Sequence, residues 1–170
     1  MNSVQIDRTL TIKYSVAMTD GVAAEIDPLA LESQVCFALA VTNRAVLAVY
    51  RPLLEPLGLT HPQYLVMLAL WDNAKGAGEP LSVKDIARLL QMDSATLSPM
   101  LKRLQAQGRI TRVELAPKGR SLRRQALEVT PSVVERLGVE LSELEHLRDV
   151  LTSINTAALA AGALDSELDR

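Results

Sequence analysis

Cys36 is the one cysteine in a chain of 170 residues. A single thiol makes neither an internal disulfide nor a multi-cysteine zinc site, which leaves two readings. A lone helical cysteine is most often a small buried hydrophobe. A reactive one needs neighbours that favour the thiolate and a path for the oxidant. Tyr50, His61 and Tyr64 are the candidate neighbours in sequence. Tyr50 lies 14 residues beyond Cys36, which on one helix is about 40° around the axis but roughly 21 Å along it. If that helix is continuous, Tyr50 cannot reach the cysteine of its own chain. Contact then requires the same helix of a second subunit running antiparallel, a two-fold site at a dimer interface.

A second group of residues has the chemistry of polyanion contact. Between Lys84 and Glu128 stand ten Lys/Arg against four Asp/Glu, a local charge of +6; the remaining 8 of 18 basic and 16 of 20 acidic residues give −8. Such a block reads either as a solvated helix-and-loop surface or as a nucleic-acid-binding segment on an acidic scaffold. Within it, Ser94, Thr96, Ser98, Lys102 and Arg103 share one side of a helical pattern, with Leu97, Met100, Leu101 and Leu104 on the other. Hydroxyls and cations opposite a core face are what base edges and phosphates require. Pro99, sixth in that helix, removes one backbone hydrogen bond and bends it locally. Further on, Lys118, Arg120, Arg123 and Arg124 are placed for phosphates or a minor groove.

The elements that must position these residues follow from capping and periodicity. Asp27-Pro28 predicts the start of a helix running to about Tyr50, ended or bent by Pro52 and Pro56. Thr60-His61-Pro62-Gln63 is a capping box for a second helix behind Leu65, Leu68 and Trp71. Ser82-x-x-Asp85 caps a short helix to about Leu90, and Asp93 caps another from Ser94 to about Gln107, closed by Gly108. That pair has helix-turn-helix anatomy. Alternation predicts strands at Ile110–Leu115 and Arg123–Val129, joined by a basic hairpin over 116–122, which makes a wing. Pro131 opens a helix that Gly138 interrupts, and Ser142-x-x-Glu145 caps another. Leu144, Leu147, Leu151 and Ile154 then form a stripe that packs internally or against a partner, with a dimer interface favoured.

Composition agrees with a mainly α fold carrying a small β-hairpin wing. Apolar residues make up 48% and charged residues 22%, which excludes wholesale disorder; aromatics at 3% leave an aliphatic core. No uninterrupted apolar run of about 18 residues occurs, so no membrane span is expected. No basic–apolar leader with a small-residue cleavage site is read at the start, so a reducing cytoplasm is expected. The expected division is an N-terminal extension over 1–26, with Met18 a second candidate start, a helical dimerisation region over 27–58 and 131–170, and a winged helix-turn-helix over 59–130.

Four runs carry a family resemblance: Leu31-Glu32-Ser33-Gln34-Val35-Cys36-Phe37-Ala38-Leu39, Tyr50-Arg51-Pro52-Leu53-Leu54, Leu59-Thr60-His61-Pro62-Gln63-Tyr64, and Asp93 through Leu104. Over roughly residues 29–130 the chain resembles the one-cysteine organic hydroperoxide resistance regulators of the MarR family. The resemblance implies a homodimeric repressor, not an enzyme and without a cofactor or metal, that binds a palindromic double-stranded DNA operator. It further implies that an organic hydroperoxide oxidises Cys36 to a sulfenic acid and thereby releases the DNA. Tyr50 matches the family tyrosine that hydrogen-bonds the cysteine from the other subunit. The implied DNA-contact set is Ser94, Thr96, Ser98, Pro99, Lys102, Arg103, Arg120 and Arg123.

Three departures bear on that reading. Ala40 stands where many members have a tyrosine, and His61 where many have another. His61 then either replaces the missing hydroxyl as a polarising partner or is an exposed first-turn residue. Ser121 stands two positions before Arg123, where many members have an acid, so the wing lacks the usual Asp–Arg clasp. With one cysteine, the sulfenic acid cannot be resolved as an internal disulfide, and a small thiol or further oxidation must complete the response. Two rival readings are a regulator released by a small aromatic or acidic ligand, with Cys36 incidental, and a thiol peroxidase, for which the basic winged helix has no purpose.

Overall fold

The computed structural model describes residues 27, 29–76 and 79–163; the extension expected over 1–26 lies outside them. The chain divides into two compact units, residues 1–42 and 43–170, and each is described by itself.

In the first unit, the Asp27 carboxylate accepts the Leu29 backbone N–H at 2.9 Å, as a capping residue does. The helix does not start there. A 3-10 turn at Leu31–Ser33 ends in extended backbone at Gln34, and helix α1 then runs from Val35 to Leu54, so that its residues from Asn43 on are counted with the second unit. It begins later than Asp27-Pro28 predicts and continues four residues past Tyr50, through Pro52. Proline removes the bond to the carbonyl four residues back; Ala48 and Pro52 are both exposed, so water can satisfy that carbonyl. Taken as a helix, α1 is also long and apolar enough to cross a membrane by length and composition alone, which a count of uninterrupted apolar residues misses. Thr42, Asn43 and Arg44 break its apolar run near the middle without breaking the helix.

The second unit contains helices α2 (His61–Asn73), α3 (Val83–Leu90), α4 (Ser94–Ala106), α5 (Pro117–Ala126), α6 (Val129–Leu137) and α7 (Leu141–Ala160). The capping boxes predicted for α2 and α3 are formed. Thr60 N–H donates to Gln63 Oε1 at 3.0 Å, and Ser82 N–H to Asp85 Oδ2 at 2.8 Å. Both bonds satisfy donors that a helix start otherwise leaves open. Asp93 caps α4, and Gly108 leaves it at φ +69°, a left-handed value that glycine takes without a Cβ penalty. Leu97 and Leu104 of α4 are fully buried with Ile86, Val66, Met67, Leu54 and Ile110. Burial of these aliphatic side chains holds the three helices of the reading head together.

The wing differs from its prediction. The segment expected as one strand folds on itself: β1 (Ile110–Thr111) pairs antiparallel with β2 (Glu114–Leu115), in register Ile110↔Leu115. Arg112, at φ +61°, turns the chain between them. The expected hairpin loop and second strand, 116–129, are instead α5 and the start of α6. Pro117 sits at the first helical position, and residues 117–126 contain no β-branched side chain. Gly119, Leu122, Ala126, Val129 and Val133 all face inward, at spacings of 3, 4, 3 and 4, a helical rather than an alternating period. Gly138 does end α6. Helix α7 begins earlier than Ser142 predicts, with Glu140 and Glu143 forming the capping pair.

Candidate nucleic-acid interface and sensor residues

Helix α4 presents the predicted contact face. Ser94, Thr96, Pro99, Lys102 and Arg103 are exposed and Ser98 is half-buried, while Leu97, Leu101 and Leu104 point into the core. Two hydroxyls are oriented by the helix itself. Thr96 Oγ1–H donates to Asp93 Oδ2 and Ser98 Oγ–H to the Ser94 carbonyl, each at 2.7 Å. Their donors are thus in use and their lone pairs remain, which suits base-edge donors such as the amino groups of adenine and cytosine. The Thr96 hydroxyl and backbone N–H together hold the Asp93 carboxyl below its usual range, so it stays ionised at the helix N-terminus.

Lys118, Arg120, Arg123 and Arg124 are exposed, but on helix α5 rather than on a hairpin loop and the strand after it. The Ser121 hydroxyl donates to the Lys118 carbonyl at 3.0 Å, within its own helix, and makes no clasp with Arg123. Two contacts fix where α5 lies. The Trp71 indole N–H donates to the Gly119 carbonyl at 2.9 Å, in a buried position. A Cβ on Gly119 would stand 2.0 Å from the Arg109 carbonyl oxygen, so only glycine permits so close an approach.

Cys36 is free and exposed on the second residue of α1, not buried as its residue type alone suggests. The helix that carries Cys36 and Tyr50 is continuous, the condition on which their axial separation rests. Tyr50 meets His61 edge to face, with ring centroids 5.1 Å apart at 72°, and Tyr64 at 6.2 Å. Tyr64 in turn meets Trp71 at 6.3 Å and 69°. Burial pushes His61 below its usual pKa and Tyr50 above its own, so His61 is a neutral imidazole and Tyr50 a neutral phenol at pH 7. Tyr64 is also raised by burial, against a side-chain hydrogen bond with Thr130.

Arg109 is a residue that sequence reasoning passed over. It is buried, its Nη2 donates to the Leu57 carbonyl, and its Nε and Nη1 have no hydrogen-bond partner. Burial lowers its pKa. Its place in a basic block gave no sign that this cation faces inward.

Among the described residues, apolar side chains stand exposed in each unit. Leu31, Val35, Leu39 and Val41 are exposed in the first; Leu141, Leu147, Val150 and Ile154 are exposed along α7, which has no buried residue. A groove of about 920 Å³ also opens within the second unit, walled by Leu65, Leu68, Leu89 and Leu127, with Arg123 among its polar groups. Among the described residues no group of His, Cys, Asp and Glu is arranged to hold a metal.

Residues 57–121 match the MarR family. The chain is 34% identical over 143 residues to the organic hydroperoxide resistance transcriptional regulator of Bacillus subtilis (strain 168), spanning 78% of this chain and 92% of that protein. It is 40% identical over 139 residues to the HTH-type transcriptional regulator TtmR of Methylorubrum extorquens (strain PA1), spanning 75% of this chain and 69% of that one. A crystal structure of AbfR of Staphylococcus epidermidis has a similar fold, at 27% identity and TM-score 0.60, over 77% of this chain and 93% of that one. A structure of reduced AbfR bound to DNA is similar at 26% identity and TM-score 0.56, over 76% and 94%.

Proposed function

The chain belongs to the MarR family of winged-helix, DNA-binding transcription regulators, and we propose that it is a homodimeric repressor that senses organic hydroperoxides through Cys36. The observation that carries the proposal is the lone, solvent-accessible thiol at the start of α1, in a chain similar over 78% of its length to a regulator of organic hydroperoxide resistance. The reduced dimer holds a palindromic operator with α4 in the major groove and the α5 cations on phosphates. The Cys36 thiolate attacks a peroxide oxygen; the O–O bond breaks, an S–O bond forms, and the alcohol leaves after taking a proton. The resulting sulfenic acid then condenses with a small thiol to a mixed disulfide, releasing water. Tyr50 of the partner subunit is the hydrogen-bond partner of Cys36, because the Tyr50 of its own chain lies about 21 Å along the same helix. His61 acts on that site as the neutral neighbour of Tyr50 rather than as a cation. The exposed apolar faces of the first unit and of α7 are the dimer surfaces.

The groove beside Arg123 supports a second reading, release by a small acidic or aromatic ligand with Cys36 incidental. One experiment separates the two. Operator binding is measured by anisotropy for wild type and Cys36→Ser, with and without cumene hydroperoxide. Release of wild type alone, reversed by dithiothreitol, supports the cysteine switch. Equal behaviour of the two proteins rejects it and directs the search to the groove.

A further inference from the structure

We propose that Trp71 is a positioning residue for DNA binding, which fixes the basic helix α5 and links it through ring contacts to Tyr50. The proposal rests on the reading that α5 lies on DNA. Trp71 is the one tryptophan in the chain, buried at the end of α2. Its indole N–H reaches across 48 residues to the Gly119 carbonyl in the first turn of α5. The other side of Gly119 lies on the Arg109 carbonyl, with no space for a methyl group. Helix α5 is therefore gripped at one residue between an indole and a main chain. It cannot slide or roll without breaking a buried hydrogen bond, whose loss leaves the buried indole N–H unsatisfied. One residue beyond the grip stands Arg120, with Arg123 and Arg124 a turn later.

On its other side Trp71 meets Tyr64, and Tyr64 meets Tyr50. Close-packed rings have few alternative arrangements, so a displacement of one is passed to its neighbours rather than absorbed. A change at Tyr50 thus reaches the α5 cations through two ring contacts and one hydrogen bond.

Full-length Trp71→Phe keeps a ring in place and removes the N–H. Its affinity is measured for a labelled duplex selected from a random pool with the wild-type protein, across a salt series. The expected result is roughly tenfold weaker binding, the size of one lost buried hydrogen bond, together with a shallower log–log salt slope, because misplaced cations release fewer counterions. Weaker binding at an unchanged slope signals a merely structural loss and overturns the proposal, as does unchanged affinity. Arg120→Gln/Arg123→Gln is the control. An unchanged slope there removes α5 from DNA, and with it both the underlying reading and this proposal. An altered slope there, beside an unaltered one in Trp71→Phe, overturns the role of Trp71 alone. Should Trp71→Phe fail to fold, wild-type emission decides. Operator addition and peroxide treatment should each shift the fluorescence of Trp71, the peroxide shift vanishing in Cys36→Ser. Peroxide-driven release of DNA without any emission change breaks the link to Tyr50.

Discussion

His61 stands edge-on to Tyr50, with ring centroids 5.1 Å apart at 72°. A histidine in the first turn of α2 thereby fixes the ring of a tyrosine near the end of α1, and burial keeps that histidine neutral. The edge-to-face geometry suits the charge distribution of aromatic rings, so His61 orients Tyr50 instead of supplying positive charge.

That geometry sets a pH dependence. The folded-state pKa of His61 lies below its ordinary value of about 6.5, so in this range the unfolded chain binds the proton more readily than the folded one. The His61 contribution to stability is therefore complete above about pH 6.5 and declines as pH falls toward the folded-state value. Urea unfolding between pH 7.5 and 5 should show wild type losing more stability than His61→Gln. Parallel pH profiles of the two proteins reject the buried, neutral histidine.

Tyr50→Phe keeps the ring contacts and removes the hydroxyl proposed to bond the partner's thiol. Reduced-state operator affinity should stay within about twofold of wild type, because the contacts of the reading head are unaltered. The rate of sulfenic acid formation, followed by dimedone trapping at low peroxide, should fall by about tenfold, the size of one charge-assisted hydrogen bond. A loss confined to DNA affinity would remove Tyr50 from the sensing site.

The helix-turn-helix was legible because its signals are local. Thr60 with Gln63, Ser82 with Asp85, and Asp93 with Thr96 lie three residues apart, and each marks a helix start that the fold retains. The wing was misread because short alternation over Arg123–Val129 hid the longer 3, 4, 3, 4 spacing from Gly119 to Val133, which tertiary packing enforces. The clamp on α5 had no local signal at all. Trp71 to Gly119 spans 48 residues and Arg109 to Leu57 spans 52, so each bond is set by chain topology. The exposed face of α4 was legible by residue type and period, but the helix beneath Arg120 and Arg123 was not.

The apolar faces predict self-association. Leu147 and Ile154 are 44% and 48% exposed on α7, two turns of one helix apart, a spacing suited to packing against a second helix. Leu147→Asp should shift the protein from dimer to monomer in sedimentation equilibrium at micromolar concentration. Circular dichroism should remain near wild type, since α7 has no buried residue to lose. A variant that stays dimeric excludes this face from the interface.

Leu104 and Lys102 lie two residues apart on α4 with opposite destinations. Leu104 is fully buried, whereas Lys102 is exposed. Leu104→Ala leaves a cavity beneath the reading helix and should cost about 2–5 kcal/mol of stability in urea unfolding. Its operator binding should weaken through loss of folded protein, with the salt slope kept. Lys102→Gln removes no buried contact, so its unfolding midpoint should match wild type. Its log–log salt slope should fall by about two for a dimer, one phosphate contact per subunit. An unchanged slope places Lys102 off the DNA and narrows the α4 contact to its hydroxyl-bearing first turns.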